Sequence, residues 1–217
     1  MTRLKTGVLI SGRGSNMAAL AEACADPGFP AEIVLVLSNE PGAAGLGRAR
    51  DIGIPAAAVD HRAFPDRAAF DAALTARLEA AGAEFVCLAG FMRLLTAGFV
   101  ERWRDRLLNI HPSLLPAFRG LDTHERALAA GVLLHGCTVH FVRPDLDDGP
   151  IVMQAAVPVL PGDTAESLAA RVLEQEHRIY PAALRLVAER AAAVDGERIV
   201  WRAGWRCEGQ LVNPPLP

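Results

Sequence analysis

The sequence predicts an α/β fold: a Rossmann-like, doubly wound domain with a mostly parallel sheet and an antiparallel extension at its edge. Three observations carry this expectation. Through the first two-thirds of the chain, short continuous apolar runs alternate with helical patterns, and a parallel strand covered on both faces reads as such a run. The connections between runs are only a few residues long, which suits a wound sheet. From Gly136 onward the runs alternate more and are joined by a segment rich in Asp, Pro and Gly, as expected for strands added at an edge.

Taken in order, Thr6–Ile10 (TGVLI) is the first buried strand, SGRGSN the loop after it and Met17–Ala25 a helix. Ile33–Leu37 (IVLVL) is the second strand. Ala43–Ile52 is a helix with Arg48 and Arg50 outward, closed by Gly53 and Pro55. Ala56–Val59 is a short strand, and Asp66–Ala81 a helix ended by Gly82. Phe85–Leu88 is a buried strand that runs into Ala89-Gly90-Phe91-Met92-Arg93. Ala97–Trp103 is helical, and Leu107–Ile110 is a strand leading into His111-Pro112-Ser113. Gly136–Val142 and Ile151–Val157 are the edge strands, joined by Arg143–Pro150. Thr164–Arg190 is a long helix with Asp163 or Thr164 as its cap, and Pro181 is expected to kink it. Beyond Ala193 the pattern weakens: Arg198–Trp205 reads as a strand or hairpin arm, and NPPLP as a frayed end.

A chain of 217 residues, 51% of them hydrophobic, suits one domain with a substantial core. The formal charge of −3 offers no basic surface for nucleic acid or anionic membrane. The N-terminal apolar stretch is too short for a signal peptide, and no segment reaches the roughly 20 apolar residues of a spanning helix. Cys24, Cys87, Cys137 and Cys207 are far apart and form no CxxC pair, so reduced, buried thiols in a cytoplasmic protein are expected and no metal site is read. His135 and His140 flank a strand without ligand spacing, and Trp103–Arg106 is expected on a solvated face.

In a wound sheet, ligands gather beyond the carboxyl ends of the strands, so the loops after Ile10, Leu88 and Ile110 come first. Ser11-Gly12-Arg13-Gly14-Ser15-Asn16 joins a strand to a helix. Glycines admit an anion close to the backbone, and a helix start supplies N–H groups and a positive dipole end. A tight turn capped by Ser or Asn would look the same. Met17 replaces the last glycine of GxGxxG, so a monophosphate fits better than a dinucleotide. In Asn109-Ile110-His111-Pro112-Ser113-Leu114-Leu115-Pro116, alternation along an extended chain puts Asn109 and His111 on one face. An amide donor beside an imidazole suits acyl or formyl transfer, one group holding an oxyanion and the other moving a proton. A lone His at a strand end also serves as a structural hydrogen bonder. In Asp145–Pro150 a carboxylate could orient an imidazole, or the turn could simply be solvated. The residues alone do not pair Asp147 with His111.

SGRGSN, AGFMRLL (89–95), NIHPSLLP (109–116), GLDTH (120–124) and LDDGP (146–150) resemble, in order and spacing, the folate-dependent formyltransferases, in the branch acting on glycinamide ribonucleotide. The resemblance runs from about Lys5 to beyond Pro181. It implies a single formyltransferase domain over 1–217, with 1–110 a phosphate-binding Rossmann-like half, 111–190 a folate and catalytic half, and 191–217 a tail. It implies 10-formyltetrahydrofolate as co-substrate, no metal, and formylation of the amine of 5′-phosphoribosylglycinamide on the route to purines. Asn109, His111 and Asp147 would be the catalytic trio: Asn109 donates to the oxyanion, and His111, an imidazolium held by Asp147, stabilises that charge and relays a proton to the departing folate nitrogen. Gly14, Ser15 and Asn16 would hold the phosphate, and Glu176 the ribose or glycinamide. Met92, Arg93, Leu94 and Leu95 would line the pterin pocket together with Asn109, and Arg67 would meet the glutamate tail. The implied partners are small molecules, without nucleic acid or membrane and with a homodimer left open. Two positions depart from the family pattern: Arg13 where an uncharged residue is usual, and Leu173 where a polar one is expected.

The competing readings are a formyltetrahydrofolate hydrolase, expected to carry an N-terminal regulatory domain, and a methionyl-tRNA formyltransferase, expected to carry a basic C-terminal RNA-binding domain. A non-catalytic nucleotide-binding module would not need a constrained Asn–x–His. A dehydrogenase would need the third glycine.

Overall fold

The computed structural model describes residues 2–202. Cys207, residues 203–205 of the expected C-terminal arm and the NPPLP segment lie outside the described residues. Two compact units are present: one comprises the chain up to Asn109 with Phe141–Pro144, the other Ile110–His140 with the chain from Asp145 onward.

The first unit alternates strand and helix: β1 (Leu4–Ile10), α1 (Ser15–Ala25), β2 (Ala31–Ser38), α2 (Ala44–Asp51), β3 (Ala56–Ala58), α3 (Arg67–Ala80), β4 (Phe85–Leu88), α4 (Ala97–Arg102) and the start of β5 (Leu107–His111). β2 and β4 flank β1, β3 pairs with β2 and β5 with β4, all parallel. The apolar runs are buried as their composition requires: Val8, Leu9 and Ile10 have no exposed surface, and β4 is buried throughout. Leu9, Leu37 and Val86 of the strands meet Phe70, Leu74 and Leu78 of α3 and Phe99, Val100 and Trp103 in one core cluster. Trp103 corrects the solvated face expected of Trp103–Arg106, being 1% exposed. Only the polar part of that run is outward, with Arg106 stacked 5.1 Å over the indole and Asp105 accepting from the buried Arg143 at 2.9 Å.

The second unit adds α5 (Thr123–Ala129), β6 (Leu134–Phe141), β7 (Ile151–Pro158), α6 (Ala165–Ala188) and a hairpin of β8 (Ala192–Asp195) with β9 (Arg198–Trp201). β6 and β7 are antiparallel, so the expected edge extension is present. The sheet order is β3-β2-β1-β4-β5-β6-β7. Thr164 caps α6 in a reciprocal box with Ser167, while Asp163 is taken up by Arg171 at 2.8 Å. The helix continues through Pro181. α5, β8 and a 3-10 turn at His61–Ala63 have no counterpart in the sequence reading.

Candidate active site

In the first unit, the loop after β1 narrows to Gly14, whose φ of 71° suits glycine. A Cβ there would sit 2.8 Å from the Cα of Gly45, and the Gly45 amide donates to the Gly12 carbonyl at 3.0 Å. Gly45 therefore allows the first turn of α2 to brace the loop backbone. α1 begins at Ser15, earlier than its apolar pattern indicates, with no side-chain cap and no acidic residue in its first turn. A helix start of this kind turns its leading amides and positive dipole end toward the loop, an arrangement that suits an anion. Ser15 is half-buried, Asn16 is buried and Arg13 is exposed.

The loop after β4 lies against this one, with the Ser11 amide donating to the Gly90 carbonyl at 3.1 Å. Met92 and Leu94 project outward at 66% and 59% exposure, an unusual presentation for large apolar side chains that suits a flat apolar ligand. Leu95 packs on the core, Arg93 is half-buried and Arg67, the first residue of α3, is exposed. Asn109 is half-buried on β5, two residues before His111 on the same strand.

The second unit pairs His111 with Asp147. His111, 5% exposed, has Nδ1 3.5 Å from Asp147 Oδ2 and Nε2 3.0 Å from the carbonyl of Phe118. Both ring nitrogens face acceptors, so a ring protonated on both can donate to each. The Gly120 amide donates to the same Asp147 Oδ2 at 2.7 Å, and Arg119 pairs with Asp148 at 2.6 Å. Asp147 holds this position with φ 46°, in the left-handed region where aspartate is among the better-tolerated side chains. The segment after His111, which includes a cis Leu115–Pro116 bond, is stitched to β6 and β7. Thr138 Oγ1 donates to the Ser113 carbonyl at 2.7 Å and accepts from the Leu115 amide, and Gln154 Nε2 donates to both the Leu115 carbonyl and Thr138.

Around this pair lie two more imidazoles. His135 Nε2 is 3.2 Å from His124 Nδ1, and the Phe118 ring meets His135 edge-on at 6.0 Å. Burial, then the neighbouring His124, pushes His135 down to about 4, and burial also lowers His124. His135 and His140 are thus interior residues of β6 rather than flanking ones, and both are buried. Glu176 is buried on α6, where its charge adds to burial in pushing the Cys137 thiol up to about 12. Among the described residues, no group of three or more His, Cys, Asp or Glu could hold a metal, and no helix is long and apolar enough to cross a membrane. The sequence reading named Ser11 and Gly120 only within motifs, without a role in the site's framework, and missed Phe118. A serine ahead of a glycine loop and a glycine after an arginine carry no chemical signature of their own.

The profile of a family described as formyl transferase matches residues 4–184. The solved structure of glycinamide ribonucleotide transformylase 1 from Symbiobacterium toebii is 50% identical, with a TM-score of 0.89, covering 92% of this chain and 94% of that one. Phosphoribosylglycinamide formyltransferase of Escherichia coli is 45% identical over 88% of this chain and 94% of its own. The trifunctional purine biosynthetic protein adenosine-3 of Bos taurus is 49% identical over 92% of this chain, which spans only 20% of that relative's length.

Proposed function

The chain belongs to the formyl transferase family, and from that premise we propose that it transfers the formyl group of 10-formyltetrahydrofolate to the amine of 5′-phosphoribosylglycinamide. The products are 5′-phosphoribosyl-N-formylglycinamide and tetrahydrofolate, a step of de novo purine synthesis, and the reaction is placed in the cytoplasm with 1–217 acting as one catalytic domain.

The single observation that carries the reading is the His111–Asp147 pair at 3.5 Å with the second ring nitrogen aimed at a carbonyl oxygen. An imidazole so oriented can exchange that carbonyl for another oxygen acceptor. The substrate amine attacks the formyl carbon and forms a C–N bond, leaving an oxyanion on the tetrahedral carbon. Asn109, through its side-chain amide, and His111, through Nε2, donate to that oxygen. Collapse breaks the bond to folate N10. The proton lost by the attacking nitrogen reaches N10 through His111, so the imidazole ends as it began. Asp147 keeps the ring oriented and offsets its charge. The phosphate takes the Gly14–Asn16 amides, Glu176 the ribose or glycinamide, Met92–Leu95 the pterin, and Arg67 the glutamate tail.

A spectrophotometric assay with a 10-formyl folate, with and without the ribonucleotide, tests this. Folate release that depends on the ribonucleotide and is lost in His111→Ala is the expected result. Release that needs no ribonucleotide identifies a hydrolase instead, and no release under either condition removes the enzymatic reading.

A further inference from the structure

The backbone between β4 and α4 is fastened at both ends by side chains from elsewhere in the first unit. At its start, the Met92 amide donates to Ser11 Oγ at 2.7 Å, and the Ser11 hydroxyl donates onward to Asn39 Oδ1 at 2.5 Å. At its end, the Thr96 amide and hydroxyl both donate to Asp71 Oδ2 at 2.7 Å. Asp71 sits on α3 and is 3% exposed, and its other oxygen has no hydrogen-bond partner among the described residues.

A buried carboxylate with one oxygen unanswered is an expensive way to start a helix. The start of α4 does not require it, because Thr96 already caps the helix by accepting from the Phe99 amide. What Asp71 adds is a fixed position for Thr96. Between the two anchors, Met92 and Leu94 are mostly exposed, so burial of those side chains does not set the conformation of the segment. The anchors do.

We propose that Ser11 and Asp71 are positioning residues that hold the Met92–Leu95 backbone in the conformation that reads the pterin edge of the folate. The inference rests on the folate reading of that segment given above. Recognition by backbone N–H and C=O groups tolerates displacements of only about 0.5 Å. A segment left to order on binding would subtract its conformational entropy from affinity. The two anchors also differ in a way that can be read out. Ser11 belongs to the phosphate loop and so ties the two substrate segments together, whereas Asp71 reaches only the folate one.

Two measurements on the full chain test the proposal. In ligand-free protein, amide hydrogen exchange should show Met92 and Thr96 protected. Ser11→Ala should speed exchange at Met92, and Asp71→Ala at Thr96, by about tenfold, the scale of one lost hydrogen bond, and Asp71→Asn, which keeps an acceptor oxygen, should speed it at Thr96 by less. With tetrahydrofolate as the titrant, Asp71→Asn should weaken binding about threefold and Asp71→Ala about tenfold or more, with the ribonucleotide KM within about twofold of wild type. Ser11→Ala should weaken both ligands and Ser11→Thr should restore them. Unchanged exchange in the variants overturns the proposal. So does a parallel rise of both KM values in Asp71→Asn, which would mark general loosening rather than positioning. Wild-type protein that binds no tetrahydrofolate overturns the folate reading and the proposal with it. Wild-type binding that the variants leave unaltered overturns the proposal alone.

Discussion

Replacing Asp147 by Asn removes one charge from the His111 pair and leaves the rest of the loop in place. Asn is among the few residues that accept the left-handed backbone found there, at φ 46°. Its side-chain oxygen can still accept the Gly120 amide, now at 2.7 Å from Oδ2. What is lost is the interaction of a carboxylate with the imidazolium of the proposed reaction, 3.5 Å away, both side chains being only 7% and 11% exposed. At an effective dielectric of about 20, two unit charges at that separation interact by about 5 kcal/mol. Since about 1.4 kcal/mol is a factor of ten in rate, complete loss would cost about three and a half orders of magnitude. The amide oxygen still orients the ring and recovers part of this, so turnover at saturating substrates should fall by about two to four orders. Both KM values should change by no more than about threefold, because in the proposed reaction the pair acts on the reacting carbon rather than on the bound ends. The assay is steady-state kinetics with both substrates, run beside thermal unfolding of the same preparation. Turnover within tenfold of wild type in a protein that unfolds normally would refute the assignment of Asp147 to the chemistry.

Two further outcomes are expected. Gly14→Ala should raise the ribonucleotide KM by about tenfold or more and leave the folate KM nearly unchanged, since the new Cβ would lie 2.8 Å from Gly45 Cα at φ 71°, a cost of about 1–2 kcal/mol or more; steady-state kinetics with each substrate varied in turn reads this. Burial and His124 hold His135 at about 4 in the folded chain, so between about pH 6.5 and 4 the unfolded chain binds a proton that the folded one refuses, and stability falls as pH falls through that window. Urea midpoints at pH 7.5, 5.5 and 4.5 should therefore drop less in His135→Gln than in wild type, and an equal drop would remove His135 as a source of the acid limb.

The parallel half of the sheet is legible because burial on both faces leaves no choice of composition: TGVLI and FVCL can be little else. The antiparallel extension is legible for the opposite reason, as alternation returns from Gly136 onward. α5 was hidden. Only Thr123 and Ala127 of its seven residues are buried, so no apolar stripe exists to be read, and the start signal that Asp122 and Glu125 spell is not the one the fold uses: Asp122 has a left-handed φ of 55° with no side-chain cap bond. Trp103 misled because three charged neighbours follow it, yet the indole turns inward while they stay out. β8 is four residues long with one apolar face, below what periodicity can separate from loop.

The site was legible where chemistry is local and obscure where it depends on closure of distant segments. Asn109 and His111 share a face by strand alternation alone. The pairing of His111 with Asp147, by contrast, is made by a third segment, whose Phe118 carbonyl meets one and whose Gly120 amide meets the other. Phe118, Asp122 and Asp147 all have positive φ, at 54°, 55° and 46°, and each such residue costs about 1 kcal/mol or more unless its surroundings compensate. No propensity argument would place two of them against one histidine. Their compensation is visible only in the folded chain: Arg126 lies over the Phe118 ring at 5.8 Å while donating to the carbonyls of Arg119 and Leu121, and the Gly120 amide fixes Asp147. Two of these strained residues, Phe118 and Asp147, are therefore the ones that aim the His111–Asp147 pair, and relaxing the strain at Phe118 should disturb the pair before it disturbs the fold.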